Sequence, residues 1–284
     1  MKTVVRMLIA LLPLASAAGA AAETALAPFV AEYEVRYGSM TVGSSRTELQ
    51  RKEPGRWVIE STSEASGLAR LIAGGTLRQR SEFELAGAMT RPHSYRFDDG
   101  TTRTGRDIAL EFDWAAGRVR GTAEAEPVDV PTEPGLQDAA SIQALVLARL
   151  RSGAEPGTIA MIEKDYVKRY QYALLRRERL RTAIGELETV VYRSTREGSS
   201  RETLFWYAPS LGWAMVQAEQ WRDGKRTFRT EIRRFEARSG PRQAQVRGSV
   251  TPRCPWYLPP RSLYEVSQTS SDSKNSICAT PSSA

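Results

Sequence analysis

The sequence predicts a mainly β protein: one large curved antiparallel sheet, an open or closed barrel of about a dozen strands, with one helix packed on its concave face. Three observations predict this fold. Apolar and polar residues alternate through most of the chain, turn signals with glycine, proline or aspartate separate the alternating runs, and a single segment has helical periodicity. A sheet of that size curls on itself rather than staying flat.

The first 22 residues have the pattern of a secretory signal peptide. Lys2 and Arg6 precede an apolar run over residues 7–14, and the small residues that end at Ala22 suit cleavage after that position. The run is well short of the ~20 residues that a bilayer span needs. No cysteine lies near the cleavage site, which disfavours a lipid anchor. We therefore expect export to a bacterial periplasm and no transmembrane span in the mature protein.

Alternation with a period of two predicts the strands before the helix. Residues 29–37 place Phe29, Tyr33 and Tyr37 on one face and charged residues on the other. Further strands are predicted at residues 40–49, 56–64, 76–85, 92–97, 103–114 and 118–121, with turns at Gly38, Pro54–Gly55, Asp98–Gly100 and residues 115–117. The proline-rich residues 126–135 are predicted as a connector to the helix. Residues 67–75, GLARLIAGG, suit either a lip over a cavity or a buried linker.

Residues 137–151, QDAASIQALVLARLR, are the predicted helix. At 100° per residue its apolar face comprises Ala139, Ile142, Leu145, Val146 and Leu150, widened by Leu147. An apolar arc this wide requires cover on more than one side, so we expect the helix to lie inside the curved sheet. Arg149 projects from within the arc. Its guanidinium either extends to water or the helix end, or anchors an anion at a cavity mouth.

Strands return after the helix, at residues 158–163, 167–176, 186–196, 201–207, 213–221 and 227–238. Residues 23–238 are thus predicted to form a single domain. Residues 239–284 are rich in Ser and Pro without periodicity, which predicts a disordered tail. Cys254 and Cys278 both lie in this tail; a disulfide between them, possible in an oxidising compartment, would not staple the domain.

The residue inventory does not support an enzyme. His93 is the one histidine, and the chain has no G-x-S-x-G, H-E-x-x-H or P-loop spacing. Asp98 and Asp99 have the composition of an acid–base pair or a cation site, but the turn that they form needs them for backbone reasons. No metal site and no cofactor are predicted. The arginines of residues 176–181 alternate with glutamates, which favours a solvated face over a nucleic-acid surface.

Aromatic residues occur on nearly every predicted strand, and in a curved sheet they either fill the interior or line a pocket for an apolar ligand. The candidate ligand-binding residues are Arg149, Ile142, Val146, Trp114, Trp206 and Tyr172. The first hypothesis is a non-enzymatic binding or chaperone-like protein for an apolar or lipid-like ligand in the cell envelope. The alternative is a structural or protein-interaction module with a filled core, which meets an envelope protein through its basic surface or its tail.

Four stretches together resemble a known family. They are AEYEVRYGSMTVGSS at residue 31, the DDG turn with the later FDWAAGRV, the helix QDAASIQALVLARLRSG, and FWYAPSLGW at residue 205. In this order and spacing they resemble the bacterial exported "domain of unknown function 3108" family over residues 29–236. The resemblance implies a periplasmic, curved antiparallel sheet of unassigned activity, similar in kind to the half-barrels of lipoprotein carriers, and it brings no catalytic residues.

Overall fold

A computed structural model describes residues 26–67, 75–101 and 104–238 of the 284-residue chain. The predicted signal peptide, the ambiguous segment 68–74 and the predicted tail with both cysteines lie outside the described residues. The elements are β1 (Phe29–Tyr37), β2 (Met40–Glu53), β3 (Arg56–Ala65), β4 (Leu77–Ala86), β5 (Met89–Asp98), β6 (Ile108–Asp113), β7 (Arg118–Ala123), β8 (Glu126–Pro131), α1 (Ser141–Arg151), β9 (Thr158–Glu163), β10 (Tyr166–Thr182), β11 (Gly185–Thr195), β12 (Arg201–Ala208), β13 (Ala214–Arg222) and β14 (Lys225–Ala237).

The fourteen strands form one antiparallel sheet in the order β8-β7-β6-β5-β4-β3-β2-β1-β14-β13-β12-β11-β10-β9. The pairing of β1 with β14 joins the first eight strands to the last six. Because neighbouring strands are antiparallel, their turns alternate between the two ends of the sheet. We call the end at which β1 stops and β14 starts the upper rim, and the opposite end the lower rim. The predicted curved antiparallel sheet with one helix is confirmed.

The sheet does not close through its backbone, since its edge strands β8 and β9 do not pair with each other. Side chains and one connecting residue bridge the seam instead. Lys164 and Glu124, in two turns of the upper rim, lie 2.5 Å apart, and Arg169 on β10 contacts Glu133 at 2.7 Å. The backbone of Gln137 donates to Ala160 on β9 and accepts from Ile162. The exposed edge of β9 is thereby covered in part.

The helix begins at Ser141, four residues later than predicted. Gln137 and Asp138 are fully buried, and their side chains form hydrogen bonds outside the helix proper. The amide of Gln137 accepts from the Thr90 hydroxyl at 2.6 Å and donates back to the Thr90 carbonyl at 3.0 Å, which ties the segment to β5. Asp138 accepts from the backbone N–H of Ala140 and Ser141, as a cap does. Hydrogen bonding to the sheet therefore overrides the helical pattern here.

Two further predictions are wrong at the level of single elements. The strand predicted from Arg103 begins at Ile108, because a 3-10 turn over Thr104–Arg106 precedes it. The predicted proline-rich connector at residues 126–135 is a strand, β8, over its first six residues. β8 is an edge strand of the sheet. Prolines are tolerated there because the missing N–H has no partner to bond.

The core lies between α1 and the concave face of the sheet. Ala144, Leu145 and Ala148 of the helix are fully buried, as are Trp57 and Phe83 on the strands. Eight of the eleven helix residues are buried. The wide apolar arc read from the sequence thus has the cover that it requires, and the helix contacts β4 and β5 most closely.

Candidate ligand-binding site

A cavity of about 440 Å³ lies between α1 and the concave face of the sheet. This volume falls within the range of about 300–1,000 Å³ that is common for small-molecule pockets. Its lining comes from α1 and Ala139 just before it, from the central strands β1 to β4, and from β10 and β12 to β14. The lining residues are Tyr33, Val35, Ser45, Thr47, Ser61, Ser63, Gln79, Ala139, Ile142, Gln143, Val146, Leu147, Tyr172, Phe205, Tyr207, Met215, Ala218, Phe228 and Thr230.

One side of the cavity is apolar and aromatic. The rings of Tyr172 and Phe205 stack with centroids 6.0 Å apart, and Phe205 stacks in turn on Tyr207 at 6.0 Å. Ile142, Val146 and Leu147 of α1 also line the cavity. Such stacked rings present flat, rigid surfaces that lose little side-chain entropy when a ligand binds. This side is therefore suited to an aliphatic or aromatic group.

The lining contains no charged residue. Its buried tyrosines also stay neutral, because burial raises the pKa of Tyr33 and Tyr207 above the ordinary value and that of Tyr172 to about 12. The Tyr33 hydroxyl donates to the carbonyl of Met215 at 3.0 Å. A formally charged ligand group has no counter-ion within this cavity, whereas an apolar group loses nothing by entering it.

The opposite side of the cavity carries hydroxyl and amide groups from β2, β3 and β4. Ser63 donates to Ser45 at 3.0 Å, and the hydroxyls of Thr47 and Ser61 lie 2.9 Å apart. The side-chain amide of Gln79 lines the cavity without a hydrogen-bond partner among the described residues. This wall can accept or donate hydrogen bonds to one uncharged polar group of a ligand.

The cavity reaches the surface at the upper rim. Phe228 lines it and is 41 % exposed, and it packs on Tyr37, which is 50 % exposed, with ring centroids 5.2 Å apart. Met40, paired with Tyr37 across β1 and β2, is 63 % exposed. Exposed apolar residues grouped at the opening of a pocket are a common feature of binding sites. The mouth of the cavity is therefore apolar as well.

The structure brings three of the six candidate residues to the cavity: Ile142, Val146 and Tyr172. It places the other three elsewhere. Trp114 donates to the carbonyl of Pro92 at 2.6 Å, and Trp206 donates to the Glu178 carboxylate at 2.5 Å. Trp206 alternates with the cavity residues Phe205 and Tyr207 along β12, so it faces away from them.

Arg149 also lies away from the cavity. Its guanidinium donates to the carbonyl of Pro156 and contacts the Met89 sulfur at 3.7 Å. Both contacts are at the lower rim, where β4 turns into β5, whereas the cavity opens at the upper rim. The side chain is half-buried, and burial lowers the pKa of Arg149. Its contacts match those of a long side chain that extends to the end of its own helix.

Sequence reasoning overlooked the polar wall and the buried pair at the start of the helix. The positions of Ser45 and Thr47 follow from alternation, since they pair with Tyr33 and Ala31 on β1 and share their face. A hydroxyl in a strand gives no signal of its own that it faces a cavity. Nothing in the helical pattern marked Gln137 or Asp138 as sheet-bonding residues.

His93 Nε2 lies 3.6 Å from the Glu84 carboxylate and has no hydrogen-bond partner among the described residues, and burial and the charge of Arg56 lower the pKa of His93. The two aspartates considered for catalysis have structural partners. Asp98 accepts from the backbone N–H of Gly100, and Asp99 from that of Thr101, as the predicted turn requires.

The carboxylates of Asp98, Asp99 and Asp107 lie within 4.8 Å of one another. A hydrogen bond from Thr101 lowers the pKa of Asp99. The cluster is thus a turn whose acids are held by local hydrogen bonds.

Two of the four arginines within residues 176–181 are paired with carboxylates. Arg176 contacts Glu178 at 2.7 Å, and Arg179 contacts Glu188 at 2.8 Å. Exposed pairs of this kind contribute little to stability, about 0–1 kcal/mol each.

In the described part of the chain, no helix combines the length and the apolarity needed to cross a membrane.

Solved structures resemble this fold at low sequence identity. A β-barrel-like protein of the DUF1849 domain family from Brucella abortus has a TM-score of 0.50 and 8% identity, covering 75% of this chain and 98% of its own. A candidate lipoprotein from Parabacteroides distasonis has a TM-score of 0.34 and 8% identity, and the match covers 75% of this chain and 96% of the lipoprotein. A candidate exported protein with a YmcC-like fold from Bacteroides fragilis has a TM-score of 0.34 and 10% identity, covering 73% and 95%. The Brucella protein supports the β-barrel-like fold, and the other two are too distant to carry an argument.

No functionally curated protein matches the sequence. A family model described as "Protein of unknown function (DUF3108)" matches residues 32–228, which run from β1 into β14 and include α1 and every cavity-lining residue except Thr230. The chain therefore belongs to the DUF3108 family, as its four characteristic stretches indicated.

Proposed function

We propose that this chain is a non-enzymatic binding or chaperone-like protein of the periplasm, and that an apolar or lipid-like ligand occupies the cavity between α1 and the sheet. The cavity itself supports the proposal: it has a volume of about 440 Å³, a lining without charge and an apolar mouth. Protein interiors normally pack to near-crystalline density. A void of this size in an otherwise packed core counts against the alternative of a filled structural module.

The periplasmic part of the proposal is supported by the first 22 residues, which have the charge, apolar run and small-residue end of a signal peptide. The non-enzymatic part is supported by the cavity lining. It has hydroxyls and amides but no histidine, carboxylate or cysteine, so it lacks a general base or an activated nucleophile.

Native mass spectrometry and solvent extraction of the chain purified from a bacterial periplasm test the proposal. We expect a bound species that extraction releases, and we expect the emptied protein to bind the neutral apolar dye N-phenyl-1-naphthylamine with a rise in fluorescence. Recovery of empty protein that also leaves the dye fluorescence unchanged would overturn the proposal.

A matched pair of substitutions locates the binding. Ala218 on β13 lines the cavity, and Ala173 on β10 is exposed beside the inward-facing Tyr172. Ala218→Trp places an indole in the cavity and should abolish dye binding, whereas Ala173→Trp should leave it unchanged. If circular dichroism shows that the tryptophan variant is unfolded, Ala218→Phe replaces it, because phenylalanine is a smaller obstruction. Equal dye affinity in folded Ala218 and Ala173 variants would place the ligand elsewhere.

A further inference from the structure

A second cavity, of about 290 Å³, lies on the inner face of the sheet at the upper rim, between β9 and β13. Unlike the first, it is polar and basic. It is lined by Glu163, Lys168, Tyr170, Ser194, Thr195, Arg196, Ser199, Arg201, Thr203 and Arg222. Four of these ten residues are cationic and one is anionic, so the cavity carries an excess of positive charge.

Three guanidiniums in this cavity lack a carboxylate partner. Glu163 is already paired with Lys168. Across the described residues, the side chains of Arg196, Arg201 and Arg222 form no ion pair and no hydrogen bond. Guanidiniums that line one cavity without a counter-ion repel one another, and a planar carboxylate or a phosphate bound by paired N–H donors relieves that repulsion.

The paired arginines on the outer face of the sheet provide the contrast. Arg118 lies 2.7 Å from Asp129, and Arg179 lies 2.8 Å from Glu188. The chain has carboxylates enough to pair arginines elsewhere on the sheet. Among the described residues, Arg78, Arg177 and Arg181 also form no ion pair, but they line neither cavity. The upper rim differs in that three unpaired arginines line the same cavity.

The basic cavity adjoins the apolar one. Tyr170 lines the basic cavity and Tyr172 the apolar cavity, two residues further along β10; Thr203 and Phe205 are related in the same way along β12. Two residues in a strand span about 7 Å. Tyr172 also pairs across β10 and β11 with Ser194, which lines the basic cavity. A molecule somewhat longer than 7 Å can therefore occupy both.

We infer that the basic cavity binds the headgroup of the ligand, which is an anionic amphiphile with a single chain: its apolar chain lies in the cavity against α1, and its carboxylate or phosphate ester is held by Arg196, Arg201 and Arg222. The inference rests on the proposed function and names the class of ligand. The uncharged lining of the apolar cavity gives an anion no partner there, so the anion lies at the upper rim, where the unpaired guanidiniums are.

Competition against N-phenyl-1-naphthylamine on the full, delipidated chain tests the inference with three probes: palmitate, the neutral alcohol of the same chain length, and inorganic phosphate. We expect palmitate to bind about tenfold more tightly than the alcohol, which corresponds to about one charge-assisted hydrogen bond. Added salt should reduce this ratio, because the arginines are partly exposed. Phosphate alone should not displace the dye.

The arginines are tested by the combined variant Arg196→Ala, Arg201→Ala and Arg222→Ala. It should bring the palmitate-to-alcohol ratio to about one while the dye affinity stays unchanged. The control is Arg193→Ala, since Arg193 is exposed on β11 next to Ser194 and is not part of the basic cavity. The control should keep the wild-type ratio.

The outcomes separate this inference from the proposed function. If the dye binds but palmitate and the alcohol compete equally, the headgroup site is refuted and the apolar ligand remains. If the protein binds neither the dye nor palmitate nor the alcohol, both proposals fail. If calorimetry finds phosphate binding that the triple variant abolishes, while palmitate has no advantage over the alcohol, the cavity is a site for a free anion and the inference is overturned.

Discussion

Two leucines of α1 offer a direct test of whether the cavity is empty space within the fold. Leu145 is 0 % exposed and does not line the cavity, whereas Leu147 is 6 % exposed and does. Both lie within the same turn and are buried to similar extents. A leucine-to-alanine substitution removes the same atoms at each position, so any difference in stability reports on what surrounds the side chain.

The expected magnitudes differ because only one substitution creates a new void. Leu145→Ala loses the transfer free energy of the removed groups and leaves a cavity in packed surroundings, for a total of about 3–5 kcal/mol. Leu147→Ala enlarges a space that already exists, and its side chain has fewer packing partners to lose. Its cost therefore falls towards the transfer contribution alone, about 2 kcal/mol.

Urea unfolding of the delipidated chain, followed by circular dichroism, measures both values. With an m-value of about 3 kcal/mol/M, a difference of about 1–3 kcal/mol separates the two midpoints by roughly 0.3–1 M. Equal destabilisation by the two substitutions would show that Leu147 is packed as tightly as Leu145. The cavity would then not exist in solution, and the proposed ligand would have no place between helix and sheet.

Two further predictions concern α1 and its start. Val146→Asp buries an unpaired carboxylate at a position that is 1 % exposed, so this variant should be unfolded. The control Gln143→Asp should fold, because Gln143 is only half-buried on the same helix. A folded Val146→Asp protein would contradict the position of the helix. Burial raises the pKa of Asp138, although Ser81 and two backbone N–H groups act against it. The native state thus holds the Asp138 proton more tightly than the unfolded chain, in which an aspartate has a pKa of about 3.9. The contribution of this proton to stability is complete below about pH 3.9 and is lost as the pH rises through the native pKa of Asp138. Asp138→Asn should flatten the stability curve in that range, and a curve parallel to wild type would refute this.

Much of the fold follows from local pattern. Alternation along β1 identified the face that carries Phe29, Ala31 and Tyr33, which are all buried. The spacing of Ile142, Leu145 and Leu150 identified the buried face of α1. These predictions succeed because side-chain direction in a strand or helix is fixed by the backbone geometry, which repeats every 2 or 3.6 residues.

The errors arise where distant residues compete with local preference. Gln137 and Asp138 fit the helical pattern, but Thr90 and Ser81, on two neighbouring strands, bond their side chains. β8 contains two prolines, and its place at the sheet edge is what permits it to be a strand. Neither fact is visible until the order of the strands is known.

The sequence alone determined that the chain is a curved antiparallel sheet around one apolar helix, because both properties are written in its periodicity. It named Ile142, Val146 and Tyr172 as candidate ligand-binding residues. It did not separate them from Arg149, Trp114 and Trp206, because no local pattern distinguishes the two groups. Only the tertiary structure decided which side chains surround a cavity and that unpaired arginines adjoin it. The reason is physical: a void and a cluster of charges are properties of residues far apart in sequence, and no local pattern records the space between them.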